Sequence, residues 1–159
     1  QEWMVQLAEE GRFKVDRETF ARLRALLVGD FVTNDVSLAT IRRVFEETGY
    51  LMDPHTAVAW EVAERLRDDA PVLVVSTAHW AKFGADVLKA LRGVSYSAPL
   101  PVEYQGLSGA DLLGGVQELA PDACIPRALA ELDGATERFI EVVDAGRSGV
   151  EDAIKGWLG

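Results

Sequence analysis

The chain has 159 residues, of which 48% are hydrophobic and 26% charged, a composition typical of a globular protein with one core and unlike that of fibrous or disordered chains. Its formal net charge of −10 argues against nucleic-acid binding, because nucleic-acid-binding proteins present clustered lysine and arginine side chains to phosphates. No apolar run approaches the roughly 20 residues that a membrane span needs, and no export leader opens the chain, so we expect no membrane partner and no secretion.

The amino-terminal part of the chain predicts four helices with recognisable ends. Glycine, which adopts the left-handed conformation easily, follows several of the predicted ends. The best-marked start is Asp53-Pro54, because aspartate accepts hydrogen bonds from free amides and proline has the fixed φ of the first helical position. The predicted helices are Glu2 to Glu10, Asp16 to about Gly29, Asn34 or Asp35 to Gly49, and Asp53 to about Arg67.

A short apolar segment then predicts a strand. Residues 72–75 (Val-Leu-Val-Val) are apolar on both faces, which favours a buried strand of a parallel sheet near residues 72–76. The polar turn Ser76-Thr77-Ala78-His79 follows, and a further helix ends at Gly93. Helix, buried strand, polar turn and helix in this order are typical of an α/β fold.

The rest of the chain predicts a connection, three helices and a second strand. Residues 94–110 are rich in proline and glycine, which favours a connection. A strand near 138–143 would complete a small, mostly parallel sheet in a helix-rich α/β fold, and we expect residues 1–159 to form one globular unit. The predicted helices run from Ser108 to Leu119, from Pro126 to Gly134, and from a capping box of Ser148 and Glu151 through Trp157.

Most residue types that could carry chemistry lack the context of a site. His55 and His79 have neither the spacing nor the cysteine partners of a zinc site, so no metal is expected. Cys124 has apolar neighbours, which favours packing over a nucleophile, and a single cysteine suits a reducing compartment such as the cytoplasm. Gly114-Gly115 lacks the spacing of a phosphate loop, and no lysine lies in the glycine-rich context that favours a Schiff base.

One candidate site remains, the turn Ser76-Thr77-Ala78-His79. In open α/β sheets, ligands bind beyond the carboxyl ends of strands, where hydroxyl groups and the amides of helix starts converge. Two hydroxyls and an imidazole suit a polar ligand held by few hydrogen bonds. Ser76 or Thr77 could equally cap the next helix, and Asp53 has a complete local role as an N-cap, so both interpretations stay open.

Three linked segments resemble one known enzyme family. They are LATIRRVFEETGY at 38–50, DPHTAVA at 53–59, and STAH at 76–79 followed by AKF at 81–83. In this order they closely resemble the carboxyl-terminal third of the threonine synthases, in the longer form found in many bacteria. The resemblance is dense over residues 1–93 and thin over 94–136, where this chain carries a divergent, loop-rich and helical insertion.

The resemblance implies the carboxyl-terminal portion of a pyridoxal-phosphate enzyme with the tryptophan-synthase-β-like fold, known as fold type II. Threonine synthases are lyases that convert O-phosphohomoserine and water to threonine and phosphate. In that family the Schiff-base lysine and the loop that holds the cofactor phosphate belong to the earlier two-thirds of the chain. The resemblance therefore implies no catalytic residue in this portion, no cofactor bound to it alone, and an amino-terminal portion as its principal partner.

The resemblance assigns one wall of the cofactor site to this chain. Thr77 matches the family position whose hydroxyl meets the pyridine nitrogen of pyridoxal phosphate, and Ser76 and His79 would flank it. A neutral hydroxyl leaves the ring a weaker electron sink than an aspartate would. The alternatives are a non-catalytic binding or interaction domain and another lyase of this fold, such as a threonine dehydratase. A separated portion would expose apolar surface, so self-association is also expected.

Overall fold

A computed structural model of the chain describes residues 2–132, 134–136 and 142–158, and these residues are mostly helical. Two short 3-10 helices lie at Trp80–Phe83 and Val102–Tyr104. No helix in the described ranges has the length and apolar composition needed to cross a membrane. The α-helices are α1 (Glu2–Glu10), α2 (Arg17–Leu26), α3 (Asn34–Thr48), α4 (Pro54–Leu66), α5 (Gly84–Arg92), α6 (Gly109–Leu119), α7 (Arg127–Ala130) and α8 (Arg147–Leu158).

The chain divides into two compact units, residues 1–123 and residues 124–159. The core of the first unit is formed by four helices, in which α3 packs against α4 and α5, and α5 packs against α6. This packing fixes the N-terminus of α4 and the 3-10 helix that precedes α5. The apolar side chains buried most completely in this core are Ile41, Val44, Met52, Val87, Leu88 and Val116.

Most predicted helix starts and ends are confirmed. Asp16 is the N-cap of α2 and accepts from the Thr19 amide at 2.8 Å. Asp53 caps α4 with Pro54 at its first turn, and Ser108 begins α6. Gly49 ends α3 in the left-handed conformation, with φ of 73°. These ends are set by contacts within a few residues, which is why local sequence patterns predict them.

Helix α3 is capped by a different residue from the one predicted. The N-cap is Thr33, whose hydroxyl accepts from the Val36 amide at 3.4 Å, and not Asn34 or Asp35. The Asp35 carboxylate instead accepts from the backbone amide of Tyr96 at 2.8 Å. Asp35, which the local pattern favoured as a cap, therefore binds a residue that is distant in the sequence.

In the second unit, α8 begins two residues earlier than predicted. The helix starts at Arg147, so the predicted capping box of Ser148 and Glu151 is wrong. Arg147 Nε lies 2.6 Å from Glu151 Oε1, an i,i+4 ion pair that uses the carboxylate predicted for the box. The helix predicted from Pro126 to Gly134 is shortened to α7, which has no buried residue to sustain a longer helix.

Cys124 is exposed, so its predicted packing role is wrong. It is the first residue of the second unit, and its Sγ contacts the Ile125 carbonyl oxygen at 3.6 Å. Apolar neighbours in the sequence predict burial only when the segment itself packs into a core.

The buried strand predicted near 72–76 is not found in the described structure. No strand is assigned to any described residue, and Leu73 is 88% exposed and Val75 66% exposed. A strand is defined by hydrogen bonds to a neighbouring strand, and the backbone groups of residues 72–76 have no backbone partner in the described ranges. Of the second predicted strand, 138–141 lie outside the described residues, and 142–143 form no strand. The small parallel sheet is therefore not confirmed.

Candidate functional site

The turn Ser76-Thr77-Ala78-His79 is open to solvent. Ser76 and Thr77 are exposed, whereas Ala78 and His79 are partly buried. The Thr77 hydroxyl has no hydrogen-bond partner in the part of the chain that the structure describes. A surface hydroxyl without an internal partner can exchange a bond with water for a bond with a ligand at small cost.

Ser76 lies on the wall of a cleft of about 360 Å³. Its Oγ is 3.1 Å from Thr56 Oγ1 and 3.1 Å from the Ala78 carbonyl oxygen. The cleft combines hydroxyl groups with two aromatic rings, which suits a flat ligand with a few polar atoms. Its lining residues are Thr48, Tyr50, Thr56, Trp60, Val74 and Ser76.

His79 is the N-cap of the 3-10 helix Trp80–Phe83. Its Nδ1 accepts from the Ala81 amide at 3.2 Å. The interpretation in which Ser76 or Thr77 caps this helix is therefore wrong, because the cap position belongs to His79. An acceptor at Nδ1 places the proton of the neutral ring on Nε2, so His79 presents a hydrogen-bond donor at its outer nitrogen.

Asp53 lies buried at the N-terminus of α4, with its side chain fully inaccessible. Oδ1 accepts from the His55 amide at 2.9 Å and the Thr56 amide at 3.4 Å, and Oδ2 accepts from the Thr56 hydroxyl. Burial raises the pKa of Asp53, but the hydrogen bonds from the Thr56 hydroxyl and the His55 groups outweigh it, so the pKa lies below its usual 3.8. Asp53 is therefore a carboxylate at neutral pH.

A line of polar contacts joins Asp53 to the turn through Thr56 and Ser76. An ionised carboxylate only accepts, so Thr56 gives its single hydroxyl proton to Asp53. Thr56 Oγ1 is then an acceptor toward Ser76, whose own proton goes to Thr56 or to the Ala78 carbonyl. In either arrangement a lone pair of Ser76 Oγ stays available to a ligand that donates a hydrogen bond.

His55 is the residue that the sequence analysis left without a role. Its Nδ1 lies 3.1 Å from Asp53 Oδ1, and its ring lies against Phe83 with the ring centroids 4.9 Å apart. The side chain is 62% exposed. The sequence signal is the Asp-Pro-His spacing, which brings a side chain two residues past the N-cap within reach of the capping carboxylate. The burial of Asp53 has no comparable local signal.

Comparisons with known proteins point to one family. Residues 56–112 match the family described as "Threonine synthase, C-terminal", and this range contains Ser76, Thr77 and His79. Threonine synthase-like 1 of Macaca fascicularis is 38% identical over 88 residues, which are 55% of this chain. The threonine synthase of Schizosaccharomyces pombe is 34% identical over 114 residues, which are 66% of this chain. The aligned part spans only 12% and 22% of these two relatives.

A solved structure extends the agreement from sequence to fold. The crystal structure of pyridoxal-phosphate-bound threonine synthase from Brucella melitensis superposes with a TM-score of 0.53 and 26% sequence identity, over 78% of this chain and 28% of that chain. The family match, the curated relatives and the solved structure agree with one another. They confirm the resemblance that the sequence predicts, that of this chain to the carboxyl-terminal portion of the threonine synthases.

Proposed function

We propose that this chain is the carboxyl-terminal portion of a threonine synthase and that its turn 76–79 forms one wall of a pyridoxal-phosphate site. The observation that carries the proposal is the Thr77 hydroxyl, which is exposed and without a partner in the described structure and follows Ser76, a residue of the cleft wall. The resemblance supports the same turn, because it gives Thr77 the position of the hydroxyl at the pyridine nitrogen.

The residues of the turn fit this cofactor at the atoms that they provide. Pyridoxal phosphate, when bound, supplies an electron sink for chemistry at the substrate carbons. The Thr77 hydroxyl donates to a ring nitrogen without bringing a negative charge beside it. Ser76 offers a lone pair and His79 offers an N–H at Nε2, so the three side chains would bind a polar ring through neutral hydrogen bonds.

The exposed segment before the turn supports a partner for this chain. Residues 72–75 are apolar, and the backbone donors and acceptors of residues 72–76 have no backbone partner among the described residues. Such a segment suits addition to a sheet, which would bury Leu73 and satisfy the backbone groups. In this proposal the neighbouring strands belong to an amino-terminal portion of the protein, and Ser76 lies at the carboxyl end of the completed strand.

The proposed reaction of the whole enzyme is the conversion of O-phosphohomoserine and water to threonine and phosphate. The cofactor lysine and the phosphate-binding loop belong to the amino-terminal portion, so residues 1–159 alone are inactive and retain no cofactor. The exposed single cysteine suits a reducing compartment, which supports the cytoplasm as the location.

The test compares this chain with a longer polypeptide that contains it. After incubation with pyridoxal phosphate and dialysis, the longer protein should absorb in the visible range and release phosphate from O-phosphohomoserine, and the isolated chain should do neither. A stable visible band in the isolated chain would place the cofactor lysine within it and contradict the proposal. Turnover of threonine, with none of O-phosphohomoserine, would favour another lyase of the same fold.

A further inference from the structure

The two histidines of the chain present opposite chemistry at their outer nitrogens. His79 Nδ1 accepts from a backbone amide, so its neutral ring carries the proton on Nε2. His55 Nδ1 instead faces Asp53 Oδ1 at 3.1 Å. A carboxylate has no proton to donate, so Nδ1 of His55 must carry one, and the neutral ring leaves Nε2 with a free lone pair.

The carboxylate that orients His55 is itself held rigidly. Asp53 is fully buried, and its oxygens accept from the amides of His55 and Thr56 and from the Thr56 hydroxyl. Phe83 contacts the imidazole from another element, with the ring centroids 4.9 Å apart. An exposed histidine on a surface helix loses rotamer freedom only when contacts favour one orientation; here the contacts with Asp53 and Phe83 favour the observed orientation, while 62% of the side chain stays exposed.

The same carboxylate links His55 to the turn of the proposed site. Asp53 contacts the Thr56 hydroxyl, and Thr56 Oγ1 lies 3.1 Å from Ser76 Oγ on the cleft wall. The arrangement therefore places a basic nitrogen with a fixed tautomer on the helix that also supplies Thr56 to the cleft. A neutral imidazole beside a carboxylate is suited to accept a proton, because the carboxylate stabilises the imidazolium that forms.

We propose that His55 accepts a proton at Nε2 during the reaction of the proposed site, with Asp53 as its positioning residue. In this step an N–H or O–H bond of the bound amino acid breaks, its electron pair stays on the ligand atom, and an N–H bond forms at Nε2. The positive charge then lies on an imidazolium whose Nδ1–H donates to Asp53. This inference rests on the proposed function for its ligand, and on the contacts of Asp53 for its geometry.

The first test reads the tautomers in the chain itself, without cofactor. Nitrogen-15 NMR at alkaline pH should show the proton of His55 on Nδ1 and that of His79 on Nε2. Asp53→Ser keeps a capping side chain and removes the carboxylate, so the His55 signals should move toward a tautomer mixture while those of His79 stay. A predominant Nε2–H tautomer at His55 in the unmodified chain would overturn the inference.

The second test uses the longer polypeptide and separates function from packing. His55→Ala should lower kcat about 100-fold or more with little change in KM, and added imidazole should restore part of it. His55→Asn keeps a donor for Asp53 but has no base at the Nε2 position, so it should fold normally and lose kcat to a similar extent. Full activity of either variant would overturn the inference and leave the proposed function intact. An unmodified enzyme that forms no threonine would instead contradict the proposed function. The NMR measurement of the His55 tautomer would still test the contact between His55 and Asp53.

Discussion

Arg43 joins α3 to α4 through its guanidinium group. Its Nη2 lies 2.5 Å from Glu64 Oε2 and 3.4 Å from Glu61 Oε2. The hydrogen bond from Arg43 holds the pKa of Glu64 below its usual 4.5, although partial burial opposes the shift. The contact matters for the site because α4 contains His55 and Thr56 and is capped by Asp53.

Arg43→Met should lower the free energy of unfolding by about 0.5–1 kcal/mol near neutral pH, the range of half-exposed ion pairs. Because the pKa of Glu64 is lower in the folded protein, its contribution is present above about pH 4.5 and is lost as the pH falls through the folded value. The difference between variant and parent, measured by urea denaturation, should therefore shrink below about pH 4.5. Arg42→Met is the matched control, because the Arg42–Glu46 pair is more exposed; a difference at Arg43 that is independent of pH would contradict this account.

At the scale of elements, α6 approaches the 3-10 helix Val102–Tyr104 at Gly115. A Cβ atom on Gly115 would lie 2.7 Å from Tyr104 Cε1, and Tyr104 is held by a hydrogen bond from Arg92 of 2.6 Å. A Cβ atom on the adjacent Gly114 would meet no atom within 4 Å. The absence of a side chain is therefore required for packing at Gly115 but not at Gly114.

Gly115→Ala should lower the free energy of unfolding by about 1–3 kcal/mol, because the added methyl group forces a held ring to move. Gly114→Ala should raise it by about 0.5–1 kcal/mol, because alanine favours the helix and has open space. Thermal or urea unfolding of both variants checks the pair. Effects of the same sign would show that α6 does not pack on Tyr104 as described.

The N-cap of α4 allows a third comparison between matched residues. Asp53→Ala should lower the free energy of unfolding by about 1–2 kcal/mol, since it removes the cap and leaves the buried Thr56 hydroxyl without its acceptor. Asp16→Ala removes the corresponding cap of α2, which is exposed and lies on a helix without a buried residue, so its effect should be smaller. Urea denaturation measures both, and a larger loss at Asp16 would be contrary to the expected order.

Elements whose ends depend on contacts between residues close in the sequence can be predicted from the sequence, and elements that depend on distant contacts cannot. Gly49 and Ser108 act within a few residues, so the sequence predicts their helix ends. The contact of Thr56 with Ser76 joins residues 20 positions apart, and only the fold reveals it. The strand at 72–76 depends on a partner strand, which local apolar and β-branched preference cannot supply. The sequence therefore predicts the turn 76–79 as a candidate site but not the Asp53–His55 pair beside it.

At the scale of the whole molecule, many apolar side chains face solvent. Helices α1, α2 and α8 contain no buried residue, and Leu26, Phe31 and Leu73 are 82%, 76% and 88% exposed. Exposed apolar side chains in this number favour association with another surface. In the proposed enzyme that surface belongs to the amino-terminal portion.

The isolated chain should therefore self-associate at micromolar concentration, which sedimentation equilibrium measures. Leu73→Ser should weaken the association and change the free energy of unfolding of the chain by no more than about 0.5 kcal/mol, because Leu73 is 88% exposed in the folded unit. A chain that stays monomeric with and without the substitution would count against a docking role for residues 72–76.

In the proposed enzyme the Thr77 hydroxyl serves the cofactor and not the fold, and the turnover of O-phosphohomoserine by Thr77 variants of the longer polypeptide distinguishes these two roles. Thr77→Val should lower kcat strongly and Thr77→Ser should keep most of it, while both leave the free energy of unfolding within about 0.5 kcal/mol of the parent, because the hydroxyl has no partner in the described structure. Unchanged kcat in Thr77→Val would contradict the account.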